Sequence, residues 1–552
     1  MSALETYLAR PWLAHYPPGV PARLEVPLQS VAQAFDEAAA QAGERPAVAF
    51  YGRLISYREL REATDRLACA LAALGVGKGD RVALYLLNSP QFIIAYFAAL
   101  KCGATVTPIS PVYTSHEVRH QLEDSGARAV VCQDILYEKV AKSGAPLELV
   151  VVTNVNEYLP ALKRLFARKA TVAGRVHWLQ DLLRKYPPQP PAVDIDPRSD
   201  LAALPYTGGT TGRPKGVMLT HYNLMAAQLT AASWYRGLVP GEEVILAFLP
   251  FFHIYGQVII MLNGLRERNL LVLFTTPDTE AIIAAMERYQ ATVFYGVPTL
   301  YEYLKDHKDT GKANWRRLKI VGSGADTLHA STLEDWRRRT GTTIVEGYGM
   351  SETCAASHIN PLHRPKTGSF GVPLPNVDAA VIDPETLEFA APGETGELVL
   401  DGPTMMRGYW QRPEDNARAF FERDGRRWMR TGDIVSMDAE GYFRFYDRAK
   451  DLIKFKGLSI FAKDIEDVLY AHPQVKAAGV IGVPDPAVGQ RIKAIVVLQG
   501  DARGKVTEEE VRTYCRQQLA EYKVPHLIEF RGELPKTDVG KVSRRELREE
   551  SA

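Results

Sequence analysis

Residues Tyr206 to Gly216 read YTGGTTGRPKG. Gly208, Gly209 and Gly212 remove side chains where a backbone has to approach an anion closely. Thr207, Thr210 and Thr211 add hydroxyl donors, and Lys215 adds a point charge suited to a phosphate. The apolar LAALPY runs into this stretch and the helix-like HYNLMAAQL follows it, which is the setting of a phosphate-binding turn. The Walker pattern G-x-x-x-x-G-K-[ST] is absent. A flexible Gly/Thr turn is the competing interpretation, and the rest of the chain decides between the two.

On either side of this stretch, strand-like apolar runs alternate with amphipathic helix-like runs. RVALYLL is followed by QFIIAYFAALKCGA, ATVFYGVP by TLYEYLKDH, and LKIVGSGA by HASTLEDWRRRTG. Such alternation predicts layered α/β structure with a largely parallel sheet. The segment TGELVLDGPTMMRGYW predicts a β-rich subregion near the end of this part. With 552 residues, the chain is too long for one folding unit. Near Tyr446 the character changes. Lys, Arg and Asp crowd YDRAKDLIKFKG, which is too polar for a core strand and suits a linker. A helix (KDIEDVLYAHP), two strands (KAAGVIGV, RIKAIVVLQ), a helix (TEEEVRTYCRQQLA) and a short strand (HLIEF) follow, an α+β unit of ordinary domain size. The expected division is a large N-terminal portion over 1–446, a linker over 447–456 and a small C-terminal unit over 457–552. Pro187 to Pro191 (PPQPP) is a short, stiff connector.

Lys plus Arg and Asp plus Glu almost cancel, leaving a formal net charge of +1, so no global pull toward nucleic acid is expected. Cys69, Cys102, Cys132, Cys354 and Cys515 are scattered, without a C-x-x-C pair. Neither a disulfide framework nor a zinc site is expected, and a reducing cytoplasm is the expected compartment. The polar, proline-rich start lacks the pattern of a signal peptide. Val244 to Leu265 (VILAFLPFFHIYGQVIIMLNGL) is uncharged over about the length of a membrane span. Pro250, His253, Gly256, Gln257 and Asn263 interrupt it, so a buried strand, a loop and a buried helix are predicted.

YTGGTTGRPKG resembles the signature loop of the adenylate-forming superfamily, which holds acyl-CoA synthetases, luciferases and the adenylation domains of peptide synthetases. Five more segments match in the family's order: VGSGA (Val321 to Ala325), EGYGMSET (Glu346 to Thr353), RTGD (Arg430 to Asp433), the linker YDRAKDLIKFKG, and PKTDVGKVSR (Pro535 to Arg544). The resemblance spans nearly the whole chain, and it implies a large N-terminal portion with a small mobile lid. It also implies two half-reactions, acyl-adenylate formation from ATP and then transfer to coenzyme A.

Each motif then carries an expected role. Thr207, Gly208, Gly209, Thr210, Thr211, Gly212 and Lys215 would hold the β- and γ-phosphates. Glu352 is similar to the family's magnesium-ligating glutamate, and Ser351 to the hydroxyl that meets the α-phosphate. Tyr348 would stack on adenine, with Glu346, Gly347 and Gly349 in its motif and Gly324 and Ala325 opposite. The two glycines beside Tyr348 are expected to leave room for the flat base. Asp433 and Arg448 would contact the ribose. Lys541 resembles the lysine that bridges the substrate carboxylate and the α-phosphate. Lys450 matches the hinge position, Lys454 the residue delivered after the lid swings, and Gly457 and Leu458 the approach to coenzyme A.

Departures from the family pattern are Ala462 in place of a proline after the linker, Asp326 where proline is common, and Asp447 where many relatives have glycine. His253, Tyr255 and Ile259 fall near the acid pocket by resemblance. The opening ARPWLAHYPPGVP and the YTGGTTG phrase are most similar to bacterial long-chain fatty acyl-CoA synthetases, which implies a medium- or long-chain fatty acid. Aryl or alicyclic acids of the benzoate or coumarate type are the alternative, as is an adenylating enzyme with a carrier-protein acceptor. The ATP-forming direction also stays open. Leu159 to Arg175 (LPALKRLFARKATVAGR) is basic, with Leu159, Leu162, Leu165 and Phe166 at helical spacing, so peripheral contact with the inner face of a membrane is a further expectation. Monomer and homodimer are equally compatible with the sequence.

Overall fold

The computed structural model describes residues 2–164, 169–207, 214–276, 278–456, 458–500, 502, 504–536 and 542–551. Two large sheets form the N-terminal portion. In the first, the strands Val345–Tyr348, Ile320–Ser323, Val293–Gly296, Val244–Ala247, Leu270–Leu273 and Pro46–Phe50 lie side by side and parallel. In the second, Thr105–Pro108, Arg81–Tyr85, Ala129–Gln133 and Leu149–Thr153 are parallel, and Lys215–Thr220 joins the same sheet antiparallel. Ala129–Gln133 (AVVCQ) is buried at every position, as expected of a parallel strand covered by helices on both faces. The crossover helix Pro90–Lys101 is apolar all round and buried throughout, so it is a core helix rather than a surface one. The three strand–helix pairs of the sequence pattern are all present.

A third sheet is antiparallel and contains Asp378–Ile382, Gly396–Asp401, Arg426–Met437 and Phe443–Arg448, the expected β-rich subregion. One apolar cluster runs through all of this, from Tyr7 to Phe443. A separate cluster from Ile453 to Ile528 forms the core of the C-terminal unit. That unit has strands Ile453–Phe455, Val475–Asp485, Gly489–Leu498 and Leu527–Arg531 and the helices Ala462–Tyr470 and Glu508–Gln518.

Val244 to Leu265 folds as anticipated, into a strand, a loop and a buried helical stretch from Tyr255 onward. Among the described residues no helix is long and apolar enough to cross a membrane. Two expectations need correction. The segment expected to be too polar for a core strand is half strand: Tyr446, Asp447 and Arg448 belong to Phe443–Arg448, and Ile453–Phe455 follows after one helical turn, Ala449–Asp451. The charges are tolerated because this sheet edge faces a cleft and Asp447 is neutralised by Arg544. The helix expected up to Arg175 is also shorter. It is described over Ala161–Arg164, and Lys169 to Arg175 is not helical. Lys169 instead ties down locally, to Glu157 and over the Trp178 ring. Leu165 and Phe166 lie outside the described residues.

Candidate active site

The carboxyl ends of Val293–Gly296, Ile320–Ser323 and Val345–Tyr348 open into a cleft of about 1710 Å³ between the N-terminal portion and the C-terminal unit. Ligand sites in parallel sheets sit at this end of the strands, where successive loops diverge. Thr207, Lys215, Gly324, Ala325, Glu346, Gly347, Tyr348, Gly349, Ser351, Glu352, Asp433, Arg448 and Lys450 all line it, together with His253, Tyr255 and Ile259. All six sequence motifs therefore contribute to one space, the last through its described residues Lys536, Val542, Ser543 and Arg544.

Tyr206–Thr207 pairs antiparallel with Lys215–Thr220, with Thr207 opposite Lys215. This ladder brings the two ends of the glycine-rich stretch together. Gly208, Gly209, Thr210, Thr211 and Gly212 lie outside the described residues, as do Gly457 and Lys541. Lys215 is already engaged, with its Nζ 2.5 Å from Asp415 Oδ1 and 5.3 Å from the centre of the Tyr409 ring.

Tyr348 Oη donates to Asp433 Oδ2 at 2.6 Å, and Arg448 Nε stands 3.5 Å from Asp433 Oδ1. Asp433 is thus oriented from two sides. A carboxylate offers about four lone-pair positions, so further donors can still be accepted. The Tyr348 ring lies against Phe370 at 4.6 Å. Ala325 has φ +73°, a left-handed conformation uncommon for a residue with a Cβ, where the chain leaves its strand beside the cleft.

The glycines flanking Tyr348 line the cleft and are also confined by the neighbouring backbone. A Cβ on Gly349 would stand 1.5 Å from the Ala355 carbonyl oxygen, and one on Gly347 would stand 3.3 Å from the His358 carbonyl oxygen. The first leaves no space for a side chain against the neighbouring backbone, while the second is a tight contact that a shift of a few tenths of an ångström would relieve. Gly349→Ala is expected to cost about 2 kcal/mol of stability by overpacking. Thermal unfolding checks this, and an unchanged midpoint would show that the turn can move aside.

Glu352 sits on the short turn Ser351–Thr353, is buried, and accepts a hydrogen bond from Tyr409 Oη at 2.8 Å. Burial pushes its carboxyl up. Among the described residues it has no salt-bridge partner, its donor being a neutral phenol. A buried carboxylate that no cation touches directly, with Arg448 acting on it only from a distance, fits a cation arriving with a phosphate ligand. Among the described residues no cluster of three or more His, Cys, Asp or Glu could hold a metal alone, so phosphate oxygens and water would complete the shell. Glu346, deeper in the wall, is pushed up to about 7 by burial, with the Leu328 N–H (3.2 Å) opposing that rise.

The C-terminal unit closes one side of the cleft. Arg544 is central there. Its Nη1 is 2.6 Å from Asp447 Oδ1, its Nη2 is 2.6 Å from Glu466 Oε2, and Arg548 pairs with Asp451 at 2.7 Å. Lys454 and Leu458 are exposed and do not line the cleft. Tyr409 and Phe370 line the cleft and Asp415 pairs with Lys215, all three outside the motifs, while Arg544 ends PKTDVGKVSR with no role expected for it. Tyr409 is 57 positions from Glu352, and its one sequence signal is a tyrosine set between Gly408 and Trp410.

The family model described as AMP-binding enzyme matches residues 35–410, and that described as AMP-binding enzyme C-terminal domain matches residues 464–541. A long-chain-fatty-acid–CoA ligase of Bacillus subtilis (strain 168) is 37% identical over 554 residues, 98% of each chain. A feruloyl-CoA synthase of Amycolatopsis sp is 35% identical over 91% of this chain and 95% of its own. Among solved structures, ATP-bound MatB from Rhodopseudomonas palustris superposes with a TM-score of 0.83 at 30% identity, covering 95% of this chain and 99% of that one.

Proposed function

The chain belongs to the AMP-binding enzyme family, and from that membership we infer that it is an AMP-forming acid–thiol ligase using ATP, magnesium and coenzyme A. The observation that carries this conclusion is the convergence of the tyrosine–aspartate–arginine set, Glu352 and Lys215 on one cleft whose other side is the C-terminal unit. Medium- or long-chain fatty acids are the first substrate class. Aryl acids are the second, favoured by the aromatic residues Tyr255 and Tyr295 along the cleft.

In the first step a substrate carboxylate oxygen attacks the α-phosphorus of ATP, and the bond to pyrophosphate breaks. Two anions must meet, so the chief task is neutralising charge. Lys215 can exchange Asp415 for a phosphate oxygen. Asp433 would accept hydrogen bonds from the ribose, while Tyr348 and Arg448 fix its direction. Glu352 is the residue that would hold magnesium, which adds positive charge at the phosphates. In the second step the coenzyme A sulfur attacks the acyl carbon and AMP leaves, with no protein nucleophile required. Lys454 and Leu458 stand outside the cleft, and this supports assigning the present arrangement to the adenylate-forming step. On that assignment, the linker near Lys450 would turn the small unit for the second step.

An acid panel tests the conclusion, with short, medium and long aliphatic and then aromatic acids, each assayed for AMP release with free coenzyme A. AMP release that depends on both acid and coenzyme A is expected. Acid-dependent pyrophosphate exchange without thioester formation would favour a carrier-protein acceptor, and no exchange with any acid would defeat the assignment. Contact with a membrane surface through the basic segment around Lys163 and Arg164 is a separate proposal. It fails if Lys163→Glu, Arg164→Glu partitions onto anionic liposomes as the parent does.

A further inference from the structure

Tyr235, Tyr255 and Tyr295 meet along the acid side of the cleft. The Tyr235 and Tyr295 ring centres are 6.5 Å apart, and those of Tyr255 and Tyr295 are 6.2 Å apart. Tyr235 and Tyr295 are each only 5% exposed, and all three line the cleft. Gly322 lets them crowd together, since a Cβ there would stand 2.8 Å from Tyr295 Cδ1 and 3.8 Å from the Tyr255 hydroxyl.

Among the described residues, none of these three hydroxyls has a hydrogen-bond partner. Other buried tyrosines do: Tyr57 Oη donates to the Asn269 carbonyl at 2.7 Å, and Tyr301 Oη to the Gly322 carbonyl at 2.6 Å. Tyr7 and Tyr96 also lack partners, but they lie outside the cleft. Ala231, Ile259 and Gly322 also line the cleft, so three hydroxyls stand beside apolar neighbours, with the Glu243 charge acting on Tyr295 only from a distance.

A saturated chain filling this space would strip water from those hydroxyls and return nothing, which is costly for buried polar groups. An acyl group with its own oxygen would satisfy them. A site built to hydrogen-bond a substrate oxygen also rejects the analogue that lacks it far more strongly than an apolar pocket rejects a missing methylene. We propose that the acid pocket is selective for carboxylic acids carrying a hydrogen-bonding oxygen on the part of the acyl group remote from the carboxylate. The proposal rests on the ligase assignment and narrows its substrate class. The oxygen can belong to a hydroxylated aromatic ring or to an oxygenated aliphatic chain.

Matched acids distinguish these sources. Pyrophosphate exchange is measured with magnesium and ATP for 4-hydroxycinnamate against cinnamate, and for 10-hydroxydecanoate against decanoate. The oxygenated member of one pair is expected to lead in kcat/KM by at least about tenfold, and the pair in which it does identifies the source. Tyr295→Phe and Tyr235→Phe should each bring that ratio down toward one. A merely structural fault would lower both members together and leave the ratio standing, which would overturn the proposal. Robust exchange with the plain acids at equal or higher kcat/KM in both pairs would also overturn it while leaving the ligase intact. Absence of exchange with every acid would remove the ligase assignment and this inference together.

Discussion

Lys541→Ala is expected to slow acyl-adenylate formation by about a thousandfold while leaving thioester formation from preformed acyl-adenylate nearly unchanged. A cation placed between two reacting anions acts at the point where charge repulsion is greatest, and removing one such preorganised group costs about 10²- to 10³-fold. The flanks of Lys541 explain how a residue so near the C-terminus can take part. Lys536 and Val542 bridge each other in antiparallel fashion, and both reach the edge of the cleft. In the second step the α-phosphate has already been joined to the acyl group, so the bridging role is finished. The two steps are separated by assaying pyrophosphate exchange for the first and thiol-dependent AMP release from supplied acyl-adenylate for the second. Equal loss in both would show that Lys541 supports the fold of the lid rather than the chemistry.

Much of this architecture is legible in the chain itself because it is local. Strands such as Arg81–Tyr85 and helices such as Ala330–Thr340 announce themselves by periodicity, and each motif holds its residues within a few positions. Distant pairings are not legible. Nothing in EGYGMSET indicates that Gly349 is required by the Ala355 carbonyl, or that Glu352 rests on Tyr409. Asp447 shows the same limit most clearly. In sequence it looks like one more charge in a solvated linker. In the structure it is 1% exposed and lies within a strand, one residue before its end, because a guanidinium from 97 residues further on lies against it. Composition reports that a segment is charged, whereas only the fold reports whether its charges are paired.

That pairing gives the second large prediction. On the assignment of Lys450 as pivot, Asp447 stays with the large portion while Asp451, Glu466 and Arg544 move with the small unit. Arg544 keeps Glu466 and Asp451 in any orientation, so its bond to Asp447 is the ion pair of this cluster that rotation must break. The Lys463 N–H, 3.3 Å from Asp447 Oδ2, would be lost with it. Removing one partner of a buried pair costs about 3–5 kcal/mol, chiefly through the charge left behind; here Arg544 retains its other carboxylates, so about 3 kcal/mol is expected. Asp447→Asn should therefore shift the balance of orientations away from the present one by about a hundredfold. Adenylate formation would slow accordingly, and thioester formation from supplied adenylate would hold or rise. Arg544→Ala is the poorer probe, because it strips the cation from Asp447 and Glu466 together, leaving only Asp451 paired, with Arg548. A fluorophore pair across the linker reads the orientation directly, without reliance on turnover. If Asp447→Asn leaves both that distance distribution and the ratio of the two half-reaction rates unchanged, the buried pair is a packing feature of the hinge and does not govern its motion.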